Sequence, residues 1–171
     1  MPHRAALEKY YDEHAQAVFA YALNMTRNEA DARDVLQEVF LKLARQADDL
    51  HSLRDPRGYL LRLAHNLMVD YFRRQATQQR ATEALGGEEE ILFAPTADPD
   101  EAIFRQQLAQ ALGELPPEQR AVIHLKLWEN LTFEAIGAML DISPHTAASR
   151  YRYGLDKLQA RLRPLYEELR T

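Results

Sequence analysis

The stretch LTFEAIGAMLDISPHTAASRYRYGLDKL, residues 131–158, has the pattern of two helices joined by a short turn. Thr132 is suited to cap the first helix, and Ser143, followed by Pro144, is suited to cap the second. Asp141 lies in the turn, where we expect a positive φ, which Asp tolerates better than most residues. Two short helices with such a turn predict a helix-turn-helix.

Packing of the two helices follows from the apolar residues. Gly137 in the first helix is expected to let the second approach closely, and Ile142 in the turn to fill the space between them. The second helix has a stripe that is predicted to be buried, formed by Ala147, Tyr151, Leu155, Leu158 and Leu162.

The opposite face of the second helix is the candidate nucleic-acid-binding surface. Small and hydroxyl-bearing residues in its first turns would let the backbone approach a DNA groove, and its free N–H groups could hold a phosphate. The candidate residues are Ser143, His145, Thr146, Ser149, Arg150 and Arg152. We expect Arg150 to contact the DNA backbone and Ser149 or Arg152 to contact base edges. The alternative is an ordinary helical hairpin in a bundle, with solvated arginines.

The segment LPPEQRAVIHLKLWEN, residues 115–130, precedes this motif and also reads as a helix. Its paired prolines suit the first helical turn. Val122, Leu125 and Trp128 are predicted to face inward.

Two further amphipathic helices are predicted in the first half of the chain. DARDVLQEVFLKLAR, residues 31–45, places Val35, Leu36, Val39, Phe40 and Leu43 on one stripe, and Asn28 or Asp31 could cap its start. RGYLLRLAHNLMVDYFRRQ, residues 57–75, carries a longer stripe made of Tyr59, Leu60, Leu63, Ala64, Leu67, Met68, Tyr71 and Phe72.

The polar face of the segment at residues 57–75 has two interpretations. At about 100° per residue, Arg62, Asn66 and Arg73 fall opposite the apolar stripe, and Arg74 flanks them. Such a face is either solvated surface or a surface that binds phosphates and bases.

Charge is distributed unevenly along the chain. The formal net charge is −5, but residues 81–100 alone hold six acidic and no basic side chains, so the remainder is close to neutral. This segment also contains Gly86, Gly87, Pro95 and Pro99 and shows little periodicity. We interpret it as a flexible acidic linker between two small helical domains, residues 1–80 and residues 101–171, which makes the fold all-α.

Several classes of protein are disfavoured. The chain has no cysteine, which excludes disulfide scaffolds and thiolate metal sites. It shows no signal peptide and no apolar run of membrane-spanning length, so we expect a soluble cytoplasmic protein. The six histidines are scattered and no phosphate-binding glycine loop or nucleophile elbow occurs, so we expect no enzyme, catalytic residue, metal or cofactor. A DNA-binding adaptor or activator that works without polymerase remains an alternative.

Three motifs in this order carry a resemblance to a known family. They are DARDVLQEVFLKL, GYLLRLAHNLMVDYFRR and LGELPPEQRAVIHLKLWENLTFEAIGAMLDISPHTAASRYRYGLDKL. Together, over about residues 5–75 and 101–163, they resemble the bacterial RNA polymerase sigma factors of the extracytoplasmic-function (ECF) group.

The resemblance implies roles for individual residues. The first domain would bind core RNA polymerase and the −10 element, and the second would bind the −35 element of promoter DNA. Asp34, Gln37 and Glu38 would dock on the clamp of the largest polymerase subunit. Arg62, Asn66, Arg73 and Arg74 would lie near the −10 element, and the loop at 48–56 would hold a flipped base. The six residues from Ser143 to Arg152 named above would face the −35 element.

The resemblance also implies partners and reveals departures. An anti-sigma factor is an expected partner, and no C-terminal regulatory extension is expected. The acidic linker would either imitate nucleic acid in a basic channel of the polymerase or act only as a tether. Tyr59 stands where the family usually has Trp, Asp141 where a turn Gly is usual, and Ala147–Ala148 where Val-Lys is usual.

Overall fold

All the regular structure in the described part of the chain is α-helical. The computed structural model describes residues 2–46, 53–79 and 97–170. The helices are α1 Pro2–Thr26, α2 Glu29–Arg45, α3 Pro56–Gln79, α4 Pro99–Glu114, α5 Pro117–Leu127, α6 Phe133–Leu140 and α7 Pro144–Arg170. These seven helices, with no strand among the described residues, confirm the all-α prediction. The chain divides into two compact units, Met1–Glu88 and Glu89–Thr171.

In the described part of the first unit, α1, α2 and α3 pack against one another. Its core contains Val18 and Tyr21 of α1, Val39 and Leu43 of α2, and Leu60 of α3, all fully buried. The sequence pattern did not predict α1, because all six residues at its end, Tyr21 to Thr26, are buried. A helix buried all round lacks the one-sided apolar stripe that sequence patterns detect.

The predicted cap and stripe of α2 are confirmed. The Asn28 side-chain oxygen accepts a hydrogen bond from the Asp31 backbone N–H at 3.0 Å, which satisfies one of the orphan donors of the first turn. Val35, Val39, Phe40 and Leu43 are buried, and the predicted Leu36 lies at the margin of the core.

The stripe of α3 is narrower and rotated relative to the prediction. Leu60, Ala64 and Met68 are buried as expected, but Leu61, which was not predicted, is only 1% exposed. The other predicted members, Tyr59, Leu63, Leu67, Tyr71 and Phe72, are half-buried. The shift arises because α3 packs against both α1 and α2, so the core reaches one residue further around the helix.

The second unit is built around α7, which packs against α4, α5 and α6. Its core cluster brings together Ala111, Leu112 and Leu115 near the end of α4, Ile123 of α5 and Leu158 of α7. Of the residues predicted to face inward on α5, Val122 and Leu125 are fully buried.

The prediction that Trp128 faces inward is wrong. Its side chain is 38% exposed, just beyond the end of α5, and its ring stacks on that of His124 at a centroid distance of 5.2 Å. Trp128 is the C-cap residue, so the chain leaves the helix there and the helical spacing no longer decides which way the side chain points.

The turn between α6 and α7 has the predicted geometry. Thr132 Oγ1 accepts from the Ala135 N–H at 3.1 Å, and Ser143 Oγ accepts from the Thr146 N–H at 3.0 Å. Asp141 adopts φ 58° and ψ 47°, the left-handed conformation expected at this helix end. A Cβ on Gly137 would lie 2.6 Å from the carbonyl oxygen of Ile142, so the close approach requires glycine. The helix-turn-helix is therefore present.

Residues 80–96, with most of the acidic linker, and residues 47–52, with most of the loop at 48–56, lie outside the described residues. At the end of the linker segment, Asp98 caps α4 by accepting from the Asp100 N–H. Across residues 2–46, 53–79 and 97–170, no helix is both long and apolar enough to cross a membrane.

Candidate nucleic-acid interface

The N-terminus of α7 is exposed and held in shape by two hydroxyl groups. Ser143 Oγ accepts from the Thr146 N–H and donates to Thr146 Oγ1 at 2.9 Å. Thr146 Oγ1 is the acceptor in that second bond, so its own hydroxyl proton stays available for an external acceptor such as a phosphate oxygen. His145, in the same turn, is exposed. The first turn of α7 thus exposes hydrogen-bond donors whose positions are fixed by the Ser143–Thr146 bonds.

One turn further along α7 lie the predicted Ser149, Arg150 and Arg152. Arg152 is exposed, while Ser149 and Arg150 are half-buried. The Arg152 guanidinium lies 5.4 Å from the ring centroid of Tyr153, whose side chain is 55% exposed. This cation–π contact directs the guanidinium along the helix surface without neutralising its charge.

No described acidic side chain pairs with the arginines of this face. Neither Arg150 nor Arg152 forms an ion pair with any described residue, whereas Arg161 further along α7 pairs with Glu114 at 3.2 Å. Sequence reasoning missed Lys157, which is exposed and likewise has no ion pair within the described residues. It lies seven residues, or about two helical turns, after Arg150, and this spacing would have predicted that the two residues share a face.

The polar face of α3 is exposed as predicted. Arg62, Asn66, Arg73 and Arg74 all lie on the surface, and none of the three arginines has an ion-pair partner among the described residues. Other cations of the same unit are engaged, for example Arg4 with Glu8 at 3.1 Å. A surface with one amide and three guanidinium groups that no described acid pairs with is able to bind phosphates and base edges.

His65, next to this face in sequence, is not part of its positive charge. Its Nδ1 and the buried Tyr21 hydroxyl are 3.1 Å apart in a hydrogen bond. Burial lowers the pKa of His65 and raises that of Tyr21, so both are neutral at neutral pH. No three His, Cys, Asp or Glu side chains within the described ranges cluster as metal ligands would.

A hydrogen-bond chain links α3 to the first turn of α2. The Tyr71 hydroxyl donates to Asp31 Oδ2 at 2.7 Å and accepts from Gln75 Nε2 at 2.7 Å. Desolvation, with added contributions from Asp31, raises the pKa of Tyr71 above its usual value. The sequence showed Tyr71 only as part of an apolar stripe, and nothing local in it could indicate a partner 40 residues away.

The third predicted surface is the polar face of α2. Asp34 and Gln37 are exposed, and the half-buried Glu38 lies 3.9 Å from Arg45, a weak surface pair. Leu41, seven residues after Asp34, lies on the same face and is 49% exposed. An acidic face with an exposed apolar residue suits docking on a basic protein surface.

Comparison with known families covers both units. The family model for Sigma-70 region 2 matches residues 10–78, and that for Sigma-70, region 4 matches residues 111–160. The first match contains α2 and α3 with their polar faces, and the second contains the helix-turn-helix.

Several curated proteins are similar over almost their whole length. The ECF RNA polymerase sigma factor SigL of Mycobacterium tuberculosis is 32% identical, with 94% of this chain and 91% of SigL covered. The RNA polymerase sigma factor CarQ of Myxococcus xanthus is 32% identical over 96% of this chain and 93% of CarQ. Among solved structures, the sigma factor RpoE of Bartonella quintana, in complex with the anti-sigma factor NepR, has a TM-score of 0.72. It covers 91% of this chain and 96% of RpoE at 18% identity, and so supports the fold alone.

Proposed function

Because the chain belongs to the extracytoplasmic-function (ECF) family of RNA polymerase sigma factors, we propose that it binds core RNA polymerase and directs it to promoters with −10 and −35 elements. Like these relatives, it is a transcription initiation factor and not an enzyme. Residues 1–80 form the domain for polymerase and the −10 element, residues 81–100 the linker, and residues 101–171 the domain for the −35 element.

The observation that carries this proposal is the surface of α7 in the helix-turn-helix. Its N-terminus is capped by Ser143 and is followed by Arg150 and Arg152, which no described acid neutralises. Such a helix can enter a major groove with its first turns. Arg150, at the flank, contacts the DNA backbone, while Ser149 or Arg152 reads base edges, with His145 and Thr146 alongside.

The other two surfaces belong to the first unit. The exposed face of Arg62, Asn66, Arg73 and Arg74 contacts the −10 element, because its free cations suit phosphates and its amide suits bases. Asp34, Gln37 and Glu38 on α2 dock on the polymerase through charge-assisted pairing. The protein acts in the cytoplasm, where the polymerase is, and an anti-sigma factor is its expected regulator.

A promoter library tests the assignments on α7. Alanine is placed singly at His145, Ser149, Arg150 and Arg152, and holoenzyme binding to −35 variants is measured at two salt concentrations. Loss of a base-reading side chain costs about 1–3 kcal/mol and relaxes preference at one position. Loss of a phosphate contact weakens all sequences alike and lowers the salt slope by about one. If all four variants bind like the wild type, α7 does not read the −35 element.

A second experiment separates a sigma factor from a DNA-binding adaptor. In gel filtration with core RNA polymerase, the chain should elute with the polymerase. Failure to co-elute, with promoter DNA still bound, would favour the adaptor.

A further inference from the structure

Val69 is an apolar residue in the middle of the polar face of α3. It lies three residues after Asn66 and four before Arg73, so at helical spacing it is a neighbour of both on the surface of the helix. Val69 is 36% exposed, whereas Met68, beside it in sequence, is buried in the core. The apolar stripe predicted from the sequence did not include Val69, and the structure likewise places it outside the core.

The charges around Val69 favour a base contact over a phosphate contact at this point of the face. Arg62 and Arg73 lie on either side of it along α3, eleven residues and about 16 Å apart at 1.5 Å per residue. No described acid pairs with either arginine, so both are able to hold phosphates. Asp70, exposed and next to Val69 in sequence, pairs with no described arginine, and its carboxylate repels a phosphate from the middle of the face.

A single exposed valine is ordinary on a protein surface, and only its position among base- and phosphate-binding groups gives this one a role. A phosphate offers an alkyl side chain no favourable contact, because the phosphate would lose its water. Among the bases, thymine alone carries an apolar substituent, the C5-methyl group, and side-chain alkyl groups recognise it. The neighbouring amide of Asn66 suits adenine, so the middle of the face combines two groups that read bases.

We propose that Val69 is a specificity-determining residue of the α3 face and recognises a thymine of the −10 element by packing against its C5-methyl group. This inference rests on the proposed function of α3 at the −10 element and adds to it a base that the face selects. Arg62 and Arg73 supply affinity that does not depend on sequence, and Val69 discriminates between bases.

The test removes the methyl group from the DNA and the alkyl group from the protein, separately and together. Holoenzyme assembled from the full chain selects a −10 sequence from a random library, and each thymine of that sequence is then replaced singly by deoxyuridine, which lacks only the methyl. With the wild type, one replacement should weaken binding about fourfold, the value for one buried methyl group. With V69A, thymine and deoxyuridine at that position should bind nearly equally, because the protein partner of the methyl is gone.

R62A is the matched control on the same face. It should weaken binding to all sequences, lower the slope of log K against log salt by about one, and leave the fourfold preference for thymine over deoxyuridine intact. V69A leaves the core unchanged, because Val69 is exposed and alanine favours a helix more than valine does.

The outcomes separate the role of Val69 from that of the whole face. If no thymine of the selected −10 element is sensitive to loss of its methyl, or if the fourfold effect persists in V69A, the proposal fails while the arginines of α3 keep their assignment. If R62A and R73A both keep the wild-type salt slope, α3 holds no phosphate of the promoter, and the proposed function of this face fails together with the inference.

Discussion

The guanidinium of Arg120, a residue of α5, donates from Nε to the backbone carbonyl of Leu112 at 2.9 Å and so caps the C-terminal end of α4. The same group also donates from Nη2 to the carbonyls of Leu115 at 2.9 Å and Gly113 at 3.2 Å. The last carbonyls of a helix have no intrahelical partner, and here they are next to the core cluster. A buried arginine therefore supplies the donors that water cannot.

Replacing Arg120 by Met should destabilise the second unit by about 2–4 kcal/mol, because it leaves buried carbonyls unsatisfied while keeping most of the side-chain volume. Urea denaturation followed by the fluorescence of Trp128, the only Trp in the chain, reports on this unit within the full protein. R120K, which keeps a charge but loses the planar fork, should lie between wild type and R120M. Equal stability of R120M and wild type would contradict a capping role.

Acid should destabilise the second unit through His124. Burial lowers the pKa of His124 from 6.5 to about 3. Below pH 6.5 the unfolded chain therefore binds a proton at His124 that the folded chain does not bind. The free energy of unfolding falls as the pH decreases from 6.5 towards 3. The slope from this group is about 1.4 kcal/mol per pH unit. Urea midpoints at several pH values, compared between wild type and H124Q, measure it; parallel pH profiles for the two proteins would rule it out.

The left-handed turn residue Asp141 should favour glycine. Its φ is 58°, a conformation that costs a residue with a Cβ about 1 kcal/mol, and no described side chain bonds to its carboxylate. D141G should raise stability by about 0.5–1 kcal/mol, less the entropy gained by the unfolded chain. N130G, at a φ of 54°, is a matched variant in the same unit. A lower melting temperature for D141G would show that the Asp side chain contributes more than the strain costs.

Two helical glycines of the second unit should respond differently to alanine. A Cβ at Gly137 would lie 2.6 Å from a backbone oxygen of Ile142, while a Cβ at Gly154 would lie 3.1 Å from a side-chain carbon of Ile123. Backbone in a tight turn cannot move aside, but an Ile side chain can adjust slightly. We therefore expect G137A to lose about 2 kcal/mol or more and G154A to lose less than about 1 kcal/mol, since alanine also favours the helix. Thermal melts of both variants decide; the reverse order would refute the close approach of α6 and α7.

Binding to core polymerase should depend on the acids of α2. Reversing Asp34 and Glu38 to Lys should abolish pull-down of core polymerase while the helical circular dichroism stays unchanged, because both side chains lie away from the core. The matched control reverses the exposed Asp12 and Glu13 of α1, which makes the same change of net charge in the same unit. Undiminished pull-down by the D34K/E38K variant, or equal loss in the control, would remove the assignment.

The sequence by itself determined the features that depend on neighbouring residues. The caps by Asn28, Thr132 and Ser143, and the positive φ of Asp141, involve groups within three or four positions of each other along the chain. Each follows from what the side chain can bond to locally, so the helix starts and the helix-turn-helix could be predicted. The same holds for the exposed face of Arg62, Asn66 and Arg73, because helical periodicity alone places them opposite the apolar stripe.

Only the tertiary structure decided the contacts between distant segments. Tyr71 meets Asp31 across 40 residues, Tyr21 meets His65 across 44, and the burial of Leu61 depends on how α3 sits against two other helices. Trp128 was predicted to face inward but is exposed, because the chain leaves α5 at that residue. Arg120 is buried because it donates to the carbonyls at the end of α4. A side chain's spacing predicts its direction from its own helix, whereas its partners are set by helix packing, which no local pattern encodes.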